Sequence, residues 1–168
     1  MSKFLLKPLA FASIILFAVA CATPRVLPQQ PTVGDANPCL RLSLNVPSQS
    51  QETQETEFAL ELTNTCDDSL SFLLDKEPAY DIQISSPKNE LVWSLRREID
   101  VSDIVLTQEL KAGQTRVFTV MWNQLDSDGA PVEAENYIAV GTLDVVFDDD
   151  SEQTLKTKPI TLSINTTP

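Results

Sequence analysis

The sequence predicts an all-β domain, an antiparallel immunoglobulin-like β-sandwich of about eight short strands. Three observations lead to this fold class. Short segments alternate apolar and polar residues, as half-buried strands do. Turn signals rich in Asp, Asn, Gly and Pro separate these segments at the spacing of a sandwich, and no segment has a convincing helical period. About 130 residues follow the N-terminal segments, which is enough for one domain with a buried core.

The N-terminal residues have the pattern of an export signal. Lys3 and Lys7 make the start positive, and residues 9–20 form an apolar run. That run is shorter than the roughly 20 residues of a spanning helix. It ends in the sequence FAVAC at residues 17–21, which resembles the lipobox of bacterial lipoprotein precursors, although Ala18 stands where Leu is usual. The resemblance predicts a cleaved signal peptide at residues 1–20 and acylation of Cys21. An ordinary signal peptide cut near Ala20 is the alternative.

Residues 21–38 are predicted to form a lipidated start and an extended tether. Four prolines and no hydrophobic periodicity follow Cys21. Two or three acyl chains on Cys21 would hold the protein firmly in a lipid bilayer. The predicted location is therefore the cell envelope, anchored to a membrane. Ala22 follows the cysteine, whereas an Asp there would resemble an inner-membrane retention signal, so the outer membrane is favoured in a cell with two membranes.

The domain itself is predicted to span residues 39–165, with residues 166–168 as a tail. Its strands differ in pattern. Some alternate clearly, some are short apolar runs, and the long run near the C-terminus contains Gly141 as a possible bulge. Residues 47–57 and 94–107 are predicted to be irregular connections. Trp93, Trp122, Tyr80 and Tyr137 are predicted to lie in the sandwich core or at its rim. The expected strands, in order, are residues 40–46, 58–63, 69–74, 80–84, 91–93, 115–122, 136–147 and 154–164.

Cys39 and Cys66 are predicted to form a disulfide. With Cys21 lipidated they are an even pair in an exported domain. Each adjoins one of two alternating runs that would form an antiparallel hairpin. Pairing Leu42 with Leu62 puts Cys39 opposite Thr65, one place from Cys66. The sequence therefore predicts either a bulge or a position on two different sheets to bring the cysteines together.

Charge and composition restrict the function. The chain has 24 Asp and Glu against 12 Lys and Arg, a net charge of −12, so nucleic acid is not an expected partner. Solubility explains this charge, and a basic partner surface is the specific alternative. There is no histidine, which excludes Ser-His-Asp and Cys-His catalysis and removes the commonest metal ligand. Acidic clusters at residues 126–129 and 148–150 are predicted to be turns, with weak calcium binding as the alternative. No catalytic residue, metal or cofactor is predicted.

An ordered set of short motifs carries a family resemblance. They resemble, in order, landmarks of the BsuPI family, the intracellular proteinase inhibitor domain of bacilli and its bacterial relatives. The family's Gly before its Tyr is replaced here by Glu135 and Asn136, and a Gly in the turn at residues 86–90 is missing. The lipobox, tether and cysteine pair are additions. The motifs are FALELTN at 58–64, YDIQI at 80–84, LVWS at 91–94, TQ at 107–108, LKAGQ at 110–114, VMWN at 120–123 and YIAVG at 137–141.

The resemblance implies a non-catalytic protein-binding module, of which a protease inhibitor is the specific form. Because the chain is exported, its partner would be an envelope or extracellular protein. Residues 94–103 are the candidate binding loop, in which Arg96 and Arg97 could offer a basic side chain to a trypsin-like pocket. A solvated loop is the alternative there. The alternative function is an envelope assembly or accessory lipoprotein without inhibitory activity, which would use loops and strand edges such as residues 115–122.

Overall fold

The computed structural model describes residues 32–148 and 150–166, with residues 32–37 described by their backbone alone. The predicted signal peptide, Cys21 and the start of the tether lie outside these residues. None of the helical structure described is long and apolar enough to cross a membrane. The elements are β1 (Thr32–Asn37), β2 (Leu40–Asn45), β3 (Gln49–Gln51), β4 (Thr56–Asn64), β5 (Leu70–Leu74), β6 (Tyr80–Ser85), β7 (Leu91–Ser94), α1 (Leu95–Glu98), β8 (Leu106–Leu110), β9 (Thr115–Trp122), β10 (Asn136–Val146), β11 (Glu152–Lys156) and β12 (Ile160–Asn165).

The strands form two sheets. The first, sheet A, has the order β1-β2-β4-β9, and all its pairs are antiparallel. Sheet B is built around the long β10, which pairs with β12 and then β11 on one side and with β6 and then β5 on the other. Strands β7 and β8 extend it beyond β6 and β5, and β3 adds to β12 in parallel. The all-β sandwich prediction is confirmed, and the described residues form twelve strands in place of about eight.

A single apolar core lies between the sheets, built from the inward residues of the alternating strands. Trp122 is fully buried, and its ring contacts those of Phe58, Trp93 and Tyr137 at centroid distances of 6.1 to 6.4 Å. Tyr80 is half-buried against Phe118. The prediction that Trp93, Trp122, Tyr80 and Tyr137 lie in the core or at its rim is confirmed.

The disulfide between Cys39 and Cys66 is present, with a Cα–Cα distance of 5.0 Å. The predicted register of β2 and β4 is also found, because Leu42 lies opposite Leu62. Thr65 donates a backbone hydrogen bond of 2.8 Å to the Cys39 carbonyl, so Cys39 does lie opposite Thr65. The expectation of a bulge or of two sheets is wrong, because the bridge runs diagonally just beyond the ends of both strands.

Several segments differ from the sequence prediction. Thr32–Asn37, assigned to the tether, pairs with β2 as strand β1, so the sheet begins at Thr32 and not at residue 39, the predicted start of the domain. Gln49–Gln51 forms β3 inside a predicted connection, and the C-terminal segment divides into β11 and β12. Gly141 is not a bulge, since the register of β10 with β6 continues through it. It is instead a point of close approach, where an added Cβ would collide with Leu60 of sheet A.

Candidate functional site

The connection between β7 and β8, residues 95–105, carries the largest concentration of exposed apolar side chains. Of the seven exposed large hydrophobic residues found in the described part of the chain, four lie here: Ile99, Val101, Ile104 and Val105. Their exposure ranges from 39% to 68%. Scattered exposed apolar residues are ordinary, whereas a cluster marks a contact surface. We name these residues the β7–β8 loop.

The first part of the β7–β8 loop is fixed by Arg96. Its Nη2 donates hydrogen bonds of 2.7 Å to the carbonyl oxygen of Ala79 and to Oδ2 of Asp144. Asp144 also accepts a hydrogen bond of 2.7 Å from Oγ1 of Thr154, and Nζ of Lys76 lies 3.8 Å from its Oδ2. The guanidinium therefore joins the loop to β10 and to the segment before β6.

The neighbours of Asp144 stabilise the ionised form of its carboxyl group. Burial alone would raise its pKa, but the hydrogen bonds from Thr154 and Arg96 outweigh burial, together with the charges of Arg96 and Lys76. They hold the pKa of Asp144 below its ordinary value of 3.8. The ion pair with Arg96 consequently persists at neutral pH.

A second carboxylate fixes the beginning of α1. Asp81 is buried and accepts hydrogen bonds of 3.0 Å from the Ser94 hydroxyl at both its oxygens. It also accepts the backbone N–H of Arg96 at 3.2 Å and the side-chain amide of Gln83 at 3.0 Å. The helical turn thus starts against a buried acceptor on β6, which explains why a four-residue helix with no buried residues of its own persists.

The middle of the β7–β8 loop is held by backbone pairing. Glu77 donates its N–H to the Ser102 carbonyl at 2.9 Å, and Ser102 donates its N–H to the Glu77 carbonyl at 3.0 Å. The exposed residues Ile99 and Val101 precede this pair, and Ile104 and Val105 follow it. The loop is therefore an exposed apolar segment that is braced at its start and its centre.

The structure separates the two arginines predicted as binding residues. Arg96 is hydrogen-bonded to Asp144 and Ala79, so its guanidinium faces the domain, and its predicted role in partner binding stays a prediction. Arg97 is exposed, and no ion pair to it occurs in residues 32–148 and 150–166. Successive residues of a helical turn point about 100° apart, which sends one guanidinium inward and the other outward.

The exposed aliphatic residues were missed by sequence reasoning. Ile99 and Val101 alternate with Asp100 and Ser102, but Ile104 and Val105 are adjacent, so the span has no complete strand pattern. The sequence does show the alternation, but alternation alone does not say whether the apolar side faces a core. Exposure depends here on the absence of a neighbouring strand, which is a property of the topology.

The acidic turn at residues 126–129 forms as predicted. Oδ1 of Asp126 accepts the backbone N–H groups of Asp128 at 2.9 Å and Ala130 at 2.8 Å. Within the described ranges, no group of three or more His, Cys, Asp or Glu side chains is arranged to hold a metal ion. The second cluster, at residues 148–150, includes Asp149, which lies outside the described residues.

No family model matches the chain, and no curated protein matches it. Solved structures with a similar fold include the C-terminal domain of Wzt, at 13% identity and a TM-score of 0.49, covering 87% of this chain and 81% of that one. The sporulation control protein Spo0M of Bacillus subtilis is similar at 9% identity and a TM-score of 0.44, over 76% of this chain and 49% of that one. A CARDB domain from Pyrococcus furiosus is similar at 13% identity and a TM-score of 0.38, over 86% of this chain and 99% of that one.

These similarities are too weak to carry any functional argument. None of these three structures is described as a BsuPI protein, so that resemblance stays a prediction. What the chain itself defines is a disulfide-linked, all-β sandwich with one braced apolar loop.

Proposed function

We propose that this protein is an envelope-anchored lipoprotein whose BsuPI-like sandwich is a non-catalytic protein-binding module, with protease inhibition as its specific form. One observation supports this most: the β7–β8 loop exposes four aliphatic side chains while its backbone is held by Arg96, Asp81 and the pairing with Glu77. A braced loop loses little conformational entropy when it is bound.

The chemistry of the loop favours an apolar complementary site. Burying one exposed aliphatic side chain contributes up to about 1.5–3 kcal/mol, and less where the side chain is already half-covered. Arg96 is not available to a trypsin-like pocket, and Val105 at 68% exposure is the most accessible of the four aliphatic residues. An inhibitor built on this loop would therefore suit a protease with an apolar specificity pocket, such as a subtilisin-like enzyme.

The loop proposal is tested by titration of the full-length protein, extracted in detergent, against subtilisin-like and trypsin-like proteases. Stoichiometric inhibition of the subtilisin-like enzyme, lost in Val105→Asp and Ile104→Asp, would support inhibition. Leu91→Asp is the matched control, because it makes the same kind of change at an exposed aliphatic residue of β7 outside the loop. Inhibition that survives both loop substitutions would exclude the β7–β8 loop as the reactive segment.

The anchor is proposed to be acylated Cys21, which inserts in a lipid bilayer, in the outer membrane where the cell has two. The lipobox-like sequence at residues 17–21 supports it. The partner would then be an envelope or extracellular protein. Cys21→Ala should move the protein from the membrane fraction to the soluble fraction. If the variant stays with the membrane, the anchor proposal is wrong.

The alternative is an envelope assembly or accessory lipoprotein without inhibitory activity. The open edge of β9 favours it, because assembly through strand addition requires an accessible edge and no protease pocket. No inhibition across the protease panel, with site-specific crosslinking from Thr119 on β9 to an identified envelope protein, would favour this alternative.

A further inference from the structure

Strand β9 is a long and regular edge. Among the described residues it pairs with β4 alone, in unbroken register from Thr56 opposite Trp122 to Thr63 opposite Thr115. Natural proteins usually protect such edges with prolines, lysines, bulges or very short strands. Strand β9 has eight residues and none of these devices. Its one charged residue, Arg116, lies at one end with its guanidinium 5.4 Å from the ring centre of Phe118.

The hydrogen-bond phase of β9 leaves a row of backbone groups pointing away from the sheet. Asn64 donates its N–H to the Gln114 carbonyl. Every second residue after Gln114 therefore directs its backbone N–H and C=O groups toward β4. The N–H and C=O groups of Val117, Thr119 and Met121 therefore face the open side. Outside the β4–β9 ladder, no backbone hydrogen bond to these three residues occurs in the described ranges.

The outer face of this edge combines apolar and acidic side chains. Val117 and Met121 are about half exposed, at 52% and 48%. Directly opposite them on β4 are Glu61 and Glu57. Neither glutamate has an ion-pair partner in the part of the chain that the structure describes. A strand added at this edge would therefore lie next to Val117 and Met121, with the carboxylates of Glu61 and Glu57 one strand further from the edge.

We propose that the β9 edge binds an extended segment of another protein as an added strand, and that this segment carries lysine or arginine at two positions four residues apart. Residues four apart lie on one face of a strand, with the spacing of Val117 and Met121. The aliphatic stems of the basic side chains would cover Val117 and Met121, and their cationic ends would reach Glu61 and Glu57. Neighbouring strands are about 4.8 Å apart, so each cation must reach across two spacings, which a lysine and a glutamate span together.

Charge selects this occupant over a second copy of the chain. Another β9 would present only threonine, valine and methionine to this face and leave Glu57 and Glu61 without cations. It would also bring a second chain of net charge −12. A basic segment is instead attracted by the same negative charge that repels a second copy of the chain. The inference does not depend on the β7–β8 loop or on the proposed function.

The test uses the full-length protein in neutral detergent and two labelled peptides of identical composition. The first peptide contains the sequence Thr-Lys-Thr-Val-Thr-Lys-Thr, in which the two lysines are four residues apart and lie on one face of a strand. In the second the lysines are three apart and fall on opposite faces. Fluorescence anisotropy should show at least tenfold tighter binding of the first peptide, which weakens as salt is raised. Equal affinity for the two peptides, or no binding of either, overturns the proposal.

Variants locate the site. Thr119→Pro removes an outward N–H that the β4 ladder does not use and should abolish binding. If the proline variant fails to fold, Met121→Lys is used in its place and should also abolish peptide binding. Glu57→Gln with Glu61→Gln should weaken binding about tenfold, whereas Glu109→Gln on β8 should leave it unchanged.

Two further outcomes complete the test. Val105→Asp in the β7–β8 loop should bind the peptide normally, which keeps this inference separate from the proposed function. Loss of peptide binding in Val105→Asp, with β9 variants unaffected, overturns the inference. Self-association in light scattering that is abolished by Met121→Lys would show that a second copy is the occupant, and would likewise overturn it.

Discussion

Replacing Arg96 with methionine should free the β7–β8 loop without removing the hydrophobic stem of the side chain. The substitution deletes both hydrogen bonds of Nη2, to Ala79 and to Asp144. Asp144 would keep its bond from Thr154, and Lys76 is 3.8 Å away. The backbone N–H of residue 96 would still donate to Asp81, so α1 loses its side-chain brace and keeps its main-chain contact.

The expected cost is about 2 kcal/mol. Hydrogen bonds to charged groups contribute about 1.5–3 kcal/mol each when buried. The side chains of Arg96 and Asp144 are 27% and 20% exposed, which places the pair between a buried ion pair and a surface one. For a domain of this size, 2 kcal/mol lowers Tm by about 7 °C. If most of the loss falls on local opening, cleavage within residues 97–105 should accelerate about thirtyfold.

Thermal unfolding and limited proteolysis measure the two effects, and Arg97→Met is the matched control. It removes the same charge from an exposed neighbour. The free energy of unfolding should therefore change by less than about 0.5 kcal/mol, with a correspondingly small change in Tm. A normal cleavage rate in Arg96→Met, despite a lower Tm, would show that the guanidinium stabilises the domain without bracing the loop. No change in either measurement would show that the ion pair contributes nothing.

The same brace predicts an acid dependence. The folded pKa of Asp144 is depressed, so its contribution is present above its unfolded pKa, near 3.8, and is lost as pH falls through the folded value. The free energy of unfolding of the wild type should therefore fall below about pH 4 more steeply than that of Asp144→Asn, which has no carboxyl group to titrate at this position.

Three further predictions test the sandwich itself. The double variant Cys39→Ser/Cys66→Ser opens a loop with a sequence separation of 27 and should cost about 3.5 kcal/mol in denaturant melts. Gly141→Ala should cost about 1–3 kcal/mol through its collision with Leu60, and combination with Leu60→Ala should be less damaging than the two single costs predict. Burial raises the pKa of Tyr137 to about 12, so stability should hold below about pH 10 and fall as pH rises toward 12, whereas Tyr137→Phe should lack this alkaline loss.

The sequence predicts those features that depend on local periodicity. Alternating leucines in β2 and β4 fix which side faces the core, and a slip by one residue would expose all of them. The register of Leu42 opposite Leu62 therefore follows from the pattern, and the nearness of Cys39 to Cys66 follows from the register. The wrong step was the demand for a bulge, because side chains beyond the last ladder pair can approach diagonally.

Features set by distant partners could not be predicted in this way. Strand β3 contains only polar residues and exists because β12 pairs with it, a pairing that continues where the N–H of Glu52 donates to the Asn165 carbonyl. The inward direction of Arg96 depends on Asp144, 48 residues away. The edge position of β9 is likewise a property of strand order, since the same sequence within the centre of a sheet would have the same alternation.

The braced loop and the β9 edge are physically connected through one aromatic contact. Phe118 of β9 lies 4.8 Å, between ring centres, from Tyr80, which follows the Glu77 segment that holds Ser102. A displacement of Phe118 by a strand added to β9 would therefore reach the segment that fixes the loop. Apolar contacts discriminate weakly among similar side chains, at about 1–3 kcal/mol per methylene group, so the loop alone would give affinity with little selectivity. The carboxylates beside β9 and its directional backbone bonds would supply the selectivity, and Phe118→Ala should reduce any coupling between the two surfaces while leaving binding at each one separately intact.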